Sequence, residues 1–307
     1  MRLPGLAASL LLLAGCAQVP LRNLQSAPCP SEPGGWCDDT RETARAIWSY
    51  AQLANNAYKK DPDDPILKQG EGHYALGPEW IERVLKGNDA IGFAYAVFDR
   101  FDGQRLVESV IAYRGTEPTS PGDWLIGNLL GAQNRRGWAV AKGVRKSLDD
   151  AGWSGAELSL TGHSLGGGIA QFVSLRNVGI GGGQRASKVA RSIVFDNSPR
   201  YWKPYKPIAE VERVALVERG EILSPTRWFR SDLPGQKTLT LDCNSGRNPI
   251  TEHRIAILAN CLTWIAAFDD PAACDSLDAN PDILRPETQS TTEAPPCRRE
   301  SLVTDAP

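Results

Sequence analysis

The stretch "LSLTGHSLGGGIA", Leu158 to Ala170, decides how this chain is read. Glu157 to Leu160 has the pattern of a short apolar strand, and Leu165 to Leu175 that of an apolar helix with no proline to stop it. Between them stands Gly162-His163-Ser164-Leu165-Gly166, a serine with a glycine two positions away on either side. A serine hydroxyl is a weak nucleophile until a base takes its proton. A sharp strand-to-helix turn lifts the hydroxyl above the sheet, where a base can reach it. Glycines suit the flanking positions because a side chain there collides with the neighbouring strand or helix. The helix that follows points its free N–H groups at the same place. Ser164 is therefore the candidate nucleophile, against the plainer reading of a structural bend.

Working outward, Ile91 to Phe98 and Leu106 to Tyr113 alternate and run apolar, with Asp102-Gly103 between them, as in a hairpin. Asp123 to Leu130 and Trp138 to Ala151 read as helices. Arg191 to Phe195 and Glu212 to Val217 read as strands, and Arg254 to Phe268 as a strongly apolar helix. Thr40 to Lys59 is a further helix, with Ile47, Ala51, Leu53, Ala54 and Ala57 on one side. Strands and helices alternate after residue 106. That pattern, with the elbow, predicts an α/β-hydrolase fold: a mainly parallel central sheet flanked by helices.

The base is found by scarcity, since the chain has 3 histidines. His163 lies inside the turn and points away from the serine, so it reads as a packing and hydrogen-bonding residue beneath the elbow. His73 sits in a polar segment upstream of the core strands. His253 follows the last strand and opens the apolar helix, which fits the order serine, acid, histidine. The acid that orients the base belongs after a strand between Ser164 and His253. Glu221 and Glu218 follow one such strand and Asp196 follows another. Glu221, beyond a glycine turn, is favoured, and Asp196 is the main alternative.

The chain has 307 residues, 41% hydrophobic and 23% charged, enough to bury a sizeable core. Its net charge of −2 gives no general attraction for nucleic acid. No Cys/His cluster has zinc spacing, and no metal or organic cofactor is implied. Arg2 and the short apolar run Leu6 to Leu13 form a signal-peptide pattern, and Leu13-Ala14-Gly15-Cys16 resembles a bacterial lipobox. The resemblance implies cleavage before Cys16, lipidation of its thiol and membrane attachment. With Ala17 rather than Asp next, it implies sorting to the outer membrane. Residues 1–15 are then signal and 16–38 a Pro/Gly-rich tether. Residues 39–275 are the catalytic domain, and 276–307, rich in Pro, Thr and acids, a mobile tail. Cys29, Cys37, Cys243, Cys261, Cys274 and Cys297 remain, an even set that suggests disulfides in an exported protein. Cys29 with Cys37 is a plausible local loop; sequence does not choose the rest.

Four stretches resemble the lipase class 3 family, the α/β-hydrolase branch that includes the fungal triacylglycerol lipases. They are Gly162 to Gly167; Val110 to Thr116 followed by Asp123-Trp124-Leu125; Phe195 to Arg200; and Arg213-Val214 leading to Glu221-Ile222-Leu223. The likeness covers roughly residues 40 to 265. It implies Glu221 as the acid, although the family usually has Asp there. It also implies an oxyanion hole from Thr116, by backbone N–H and hydroxyl, and from the N–H of Leu165. Such donors meet the negative oxygen of the tetrahedral intermediate. The segment Pro118 to Gly131 lies where a lid would be, and Arg200 to Lys206 mixes basic and aromatic side chains suited to a membrane interface.

The expected function is hydrolysis of acyl-lipid esters, as a lipase or phospholipase, through an acyl-enzyme. The alternatives are a soluble-ester esterase, or a non-catalytic lipoprotein that binds a partner on the same fold. Oligomeric state is not legible.

Overall fold

The computed structural model describes residues 29–58, 73–86, 92–115, 127–176, 178, 189–199, 210–227, 233, 235–244, 246 and 248–298. Seven strands form one sheet whose spatial order is the sequence order. They are β1 (Trp80–Lys86), β2 (Tyr95–Asp102), β3 (Arg105–Tyr113), β4 (Glu157–His163), β5 (Arg191–Phe195), β6 (Glu212–Glu218) and β7 (Gln236–Leu241). The first three pair antiparallel, and β3 to β7 pair parallel. The helices are α1 (Asp38–Asn56), α2 (Gly127–Asp150), α3 (Leu165–Ser174), α4 (Ser224–Arg227), α5 (Pro249–Glu252), α6 (Ile255–Ala266) and α7 (Pro271–Ala279).

The period-two alternation of the strands sorts the core onto two faces. Phe98, Val110, Ala112, Ile193, Phe195, Val214 and Leu216 turn toward α1, α6 and α7. Val97, Ile111, Tyr113, Leu158, Leu160, Val194 and Ala215 turn toward α2 and α3. Helix α1 starts with Asp38 and Asp39 against its positive end and buries Ile47, Ala51, Leu53 and Ala54. Helix α6 is apolar almost all round, as a helix packed between α1 and α7 must be.

Several boundaries differ from the sequence reading. The two helices expected at 123–130 and 138–151 are one helix, α2, over its described residues. Gly137 does not break it, because that surface lies against Ile169 and Tyr113, and Tyr113 Oη donates to the Gly137 carbonyl at 2.8 Å. Strands β1 and β7, at the two edges of the sheet, were not anticipated.

The expected tether and tail are, where described, part of the fold. Residues 29–37 close on a Cys29–Cys37 disulfide, and Trp36 is buried. From residue 276 the chain completes α7, is pinned by Cys274–Cys297 and buries Ile283 and Ala294. Gln289 accepts a hydrogen bond from Trp264 Nε1 at 2.8 Å, and Glu293 accepts one from the N–H of Gly34 at 2.9 Å. A few apolar side chains and a cross-link offset the ordering entropy that a mobile tail would have kept. The third disulfide, Cys243–Cys261, ties the segment after β7 to α6. No helix among the described residues is long and apolar enough to cross a membrane.

Candidate active site

Strand β4 ends at His163 and α3 starts at Leu165, so Ser164 alone makes the turn. Its φ of 54° and ψ of −124° lie where a side chain is strained, and the surroundings hold it there. Its N–H donates to the Phe195 carbonyl at 3.0 Å, and its carbonyl accepts from the N–H groups of Gly168 at 3.1 Å and Ser198 at 2.8 Å. The glycines are required by contact. A Cβ on Gly162 would stand 2.6 Å from the Gly166 carbonyl carbon, and one on Gly166 would stand 2.0 Å from the Tyr113 oxygen. Gly167 packs as closely on Asn197.

The three side chains of the expected triad form one hydrogen-bonded line. His253 Nε2 lies 2.9 Å from Ser164 Oγ, and its Nδ1 lies 2.8 Å from Glu221 Oε2. The serine hydroxyl has only Nε2 to donate to in this line, which leaves Nδ1 carrying the proton given to Glu221. Glu221 is buried and takes two further bonds, from the Leu223 N–H at 2.7 Å and the Ser224 hydroxyl at 3.1 Å. These fix which oxygen faces the imidazole. His253 closes the short helix α5, whose Asn248 cap accepts from the Ile250 N–H at 3.1 Å.

The two other acids considered from sequence lie beside this line in different roles. Asp196 Oδ1 accepts from the Glu218 N–H at 2.8 Å, and Glu218 Oε1 accepts from the Cys243 N–H at 2.8 Å. The orienting position at His253 Nδ1 belongs to Glu221.

His163 faces the α1 side of the sheet. Its Nε2 is 2.7 Å from the His253 carbonyl, and so carries the proton; its Nδ1 is 3.0 Å from Tyr58 Oη, which donates to it. Tyr58 Oη in turn accepts from the Gly115 N–H at 3.0 Å. The two imidazoles lie 4.6 Å apart, centroid to centroid. Tyr58 was not singled out from sequence; its position just past the apolar stripe of a helix gave no signal. His73 is exposed. Leu165 N–H lies in the first turn of α3, where N–H groups have no partner within the helix. Thr116, Cys16, residues 118–126 of the expected lid and residues 200–206 lie outside the described residues.

Among the described residues, His163, Asp196 and His253 bring ligand-type atoms within 4.8 Å of one another. All four imidazole nitrogens in that group already hold hydrogen bonds, so the group works as a hydrogen-bond network.

Part of the chain is similar to known proteins. Residues 49–178 match the family model described as phospholipase-like, a Tle-like phospholipase domain. No curated protein matches the sequence. Among solved structures, a fungal lipase–inhibitor complex is similar at 14% identity and a TM-score of 0.42, over 61% of this chain and 76% of that one. The native Rhizomucor miehei lipase propeptide complex is similar at 15% identity and 0.39, over 61% and 65%. The Rhizomucor miehei triacylglyceride lipase is similar at 15% and 0.36, over 62% and 76%. The sheet order and the elbow with its histidine and acid give the chain an α/β-hydrolase fold with a serine-histidine-acid site, and its matched segment is similar to lipid ester hydrolases.

Proposed function

We propose that the chain is a phospholipase that cleaves acyl esters of membrane lipids by a serine mechanism. The observation that carries the reading is the continuous line from Ser164 through His253 to Glu221. Ser164 Oγ attacks the ester carbonyl while His253 Nε2 takes its proton. Glu221 stabilises the imidazolium and keeps its ring aligned. The N–H of Leu165, with Thr116, receives the oxyanion; one such donor is worth about 2.7–4 kcal/mol of barrier. His253 then protonates the leaving alcohol, and water repeats the sequence to release the fatty acid. The match to the phospholipase-like family model favours phospholipid over triglyceride. Lipidation at Cys16, with outer-membrane residence, would hold the enzyme beside that substrate.

The test is fatty-acid release from phosphatidylcholine and phosphatidylethanolamine vesicles, from triglyceride emulsion and from short soluble esters, with S164A beside the parent chain. Release from vesicles that S164A abolishes supports the proposal. Turnover of soluble esters alone favours an esterase. Inertness toward all of them and toward a fluorophosphonate favours a binding lipoprotein.

A further inference from the structure

The segment that carries His253 begins at Cys243, and one side chain holds that beginning. Glu218, the last residue of β6, is fully buried, and its Oε1 accepts from the backbone N–H groups of Cys243 (2.8 Å) and Asn244 (3.3 Å). Its own N–H is held by Asp196 Oδ1 at 2.8 Å. Asn244 Nδ2 donates to Glu252 Oε1 at 3.2 Å, and Glu252 is the neighbour of His253 in the chain. The contacts therefore run from the end of β6 to the residue beside the imidazole.

We propose that Glu218 is a positioning residue for the hydrolysis, its carboxyl clamping the His253 segment so that the imidazole stays between Ser164 and Glu221. The inference rests on the catalytic reading above. The carboxyl acts in its protonated form. Its Oε2 is buried and meets no hydrogen-bond partner among the described residues, a costly position for a bare carboxylate oxygen. Burial first, then the charges of Asp196 on β5 and Glu252 on α5, push the group up to about 9; the N–H bonds from Cys243 and Asn244 oppose this without cancelling it.

Two pH effects follow, with definite signs. Between the ordinary carboxylate value of 4.5 and about 9 the native chain holds a proton that the unfolded chain has lost. Glu218 therefore lowers stability progressively as pH rises through that window, and its effect levels off above it. Within the folded protein the carboxyl ionises only near the upper end. A new buried anion then stands beside Asp196 and Glu252, and its repulsion of them displaces the segment even though its hold on the two N–H groups strengthens, so turnover falls.

The experiment uses full-length E218Q and E218A. Glutamine keeps the acceptor and cannot ionise. E218A is expected to lower kcat about tenfold or more with KM within about twofold, and E218Q to restore kcat to within about threefold. E218Q is also expected to lack the alkaline fall near pH 9, and its melting midpoint to gain on the parent as pH rises from about 4.5 to about 9. Parent-like kcat in E218A, or a parent-like alkaline fall in E218Q, overturns the role of Glu218. If E218A does not fold, the pH profile and melting curves of E218Q decide. Fluorophosphonate labelling of the parent separates the two levels. A chain that is neither labelled nor active on any ester refutes the hydrolase and this role with it, whereas a labelled chain with an unmoved E218Q profile refutes the role alone.

Discussion

Replacing Gly166 by alanine adds one carbon at the most crowded point of the elbow. That carbon would stand 2.0 Å from the Tyr113 oxygen, 2.6 Å from the Tyr113 carbonyl carbon and 2.8 Å from the Arg114 carbonyl carbon. Ordinary non-bonded contact needs about 3.5 Å. All three obstacles are backbone atoms of the chain leaving β3, which no rotamer change can move aside. The start of α3 must therefore retreat by about 1 Å or more, carrying Ser164 and the Leu165 N–H with it. Overpacking of this kind costs about 1–3 kcal/mol in stability. A shift of about 1 Å between reacting groups costs about 100-fold in rate. Hydrolysis of 4-nitrophenyl esters and urea unfolding measure the two effects separately. Gly143 in α2 is the control, because a Cβ there meets nothing within 4 Å. G143A is expected to gain about 0.5–1 kcal/mol of stability from reduced backbone entropy in the unfolded chain. A G166A protein with parent-like kcat/KM and unfolding midpoint would refute the close approach of the elbow to β3 and the reason given for the glycine.

The acid is tested by paired amides. E221Q is expected to lose about ten-thousandfold in kcat, because the amide can no longer stabilise the imidazolium or enforce its tautomer. D196N keeps an acceptor for the Glu218 N–H and is expected to retain activity within about tenfold; a reversed order would move the acid to Asp196. The Cys243–Cys261 bridge spans 18 residues and has His253 between its ends. Removing it as C243A/C261A is expected to cost about 3 kcal/mol in thermal unfolding and to lower kcat with it. Unchanged kcat would show that Glu218 and the α5 cap hold the histidine without the bridge.

What was legible in the sequence was whatever is buried on both faces or fixed by one conformation. Strands β3 to β6 lie inside the sheet and read as apolar runs, and the Gly-His-Ser-Leu-Gly turn admits few backbones. The edge strands were not legible for the converse reason. In β1 most positions are exposed, so Trp80–Lys86 mixes charge with Ile81 and Leu85, and in β7 the half-exposed Gln236–Leu241 carries little apolar content. The C-terminal segment misled because its composition is that of a disordered chain, while its order comes from a few points: Ile283, Ala294, Gln289 and Cys297. Of the site, serine and histidine followed from motif and scarcity. The choice among Asp196, Glu218 and Glu221 needed coordinates, because all three cluster at the ends of adjacent strands.

The arrangement of α1 and α6 sets an order of assembly. Helix α1 packs against α6, made about two hundred residues later, and residues 283–298 pack back on the fold through Ile283, Ala294 and the bond from the Gly34 N–H to Glu293. The sheet adds its strands one neighbour at a time and α1 packs on β3, β4 and β5, but α1 lacks its main helix partner until α6 has been made. The catalytic base belongs to the same late portion. A chain still being synthesised thus has its serine long before it has the histidine that faces it. The site is therefore completed only once the segment carrying His253 and the helix after it have been made and have closed on the rest.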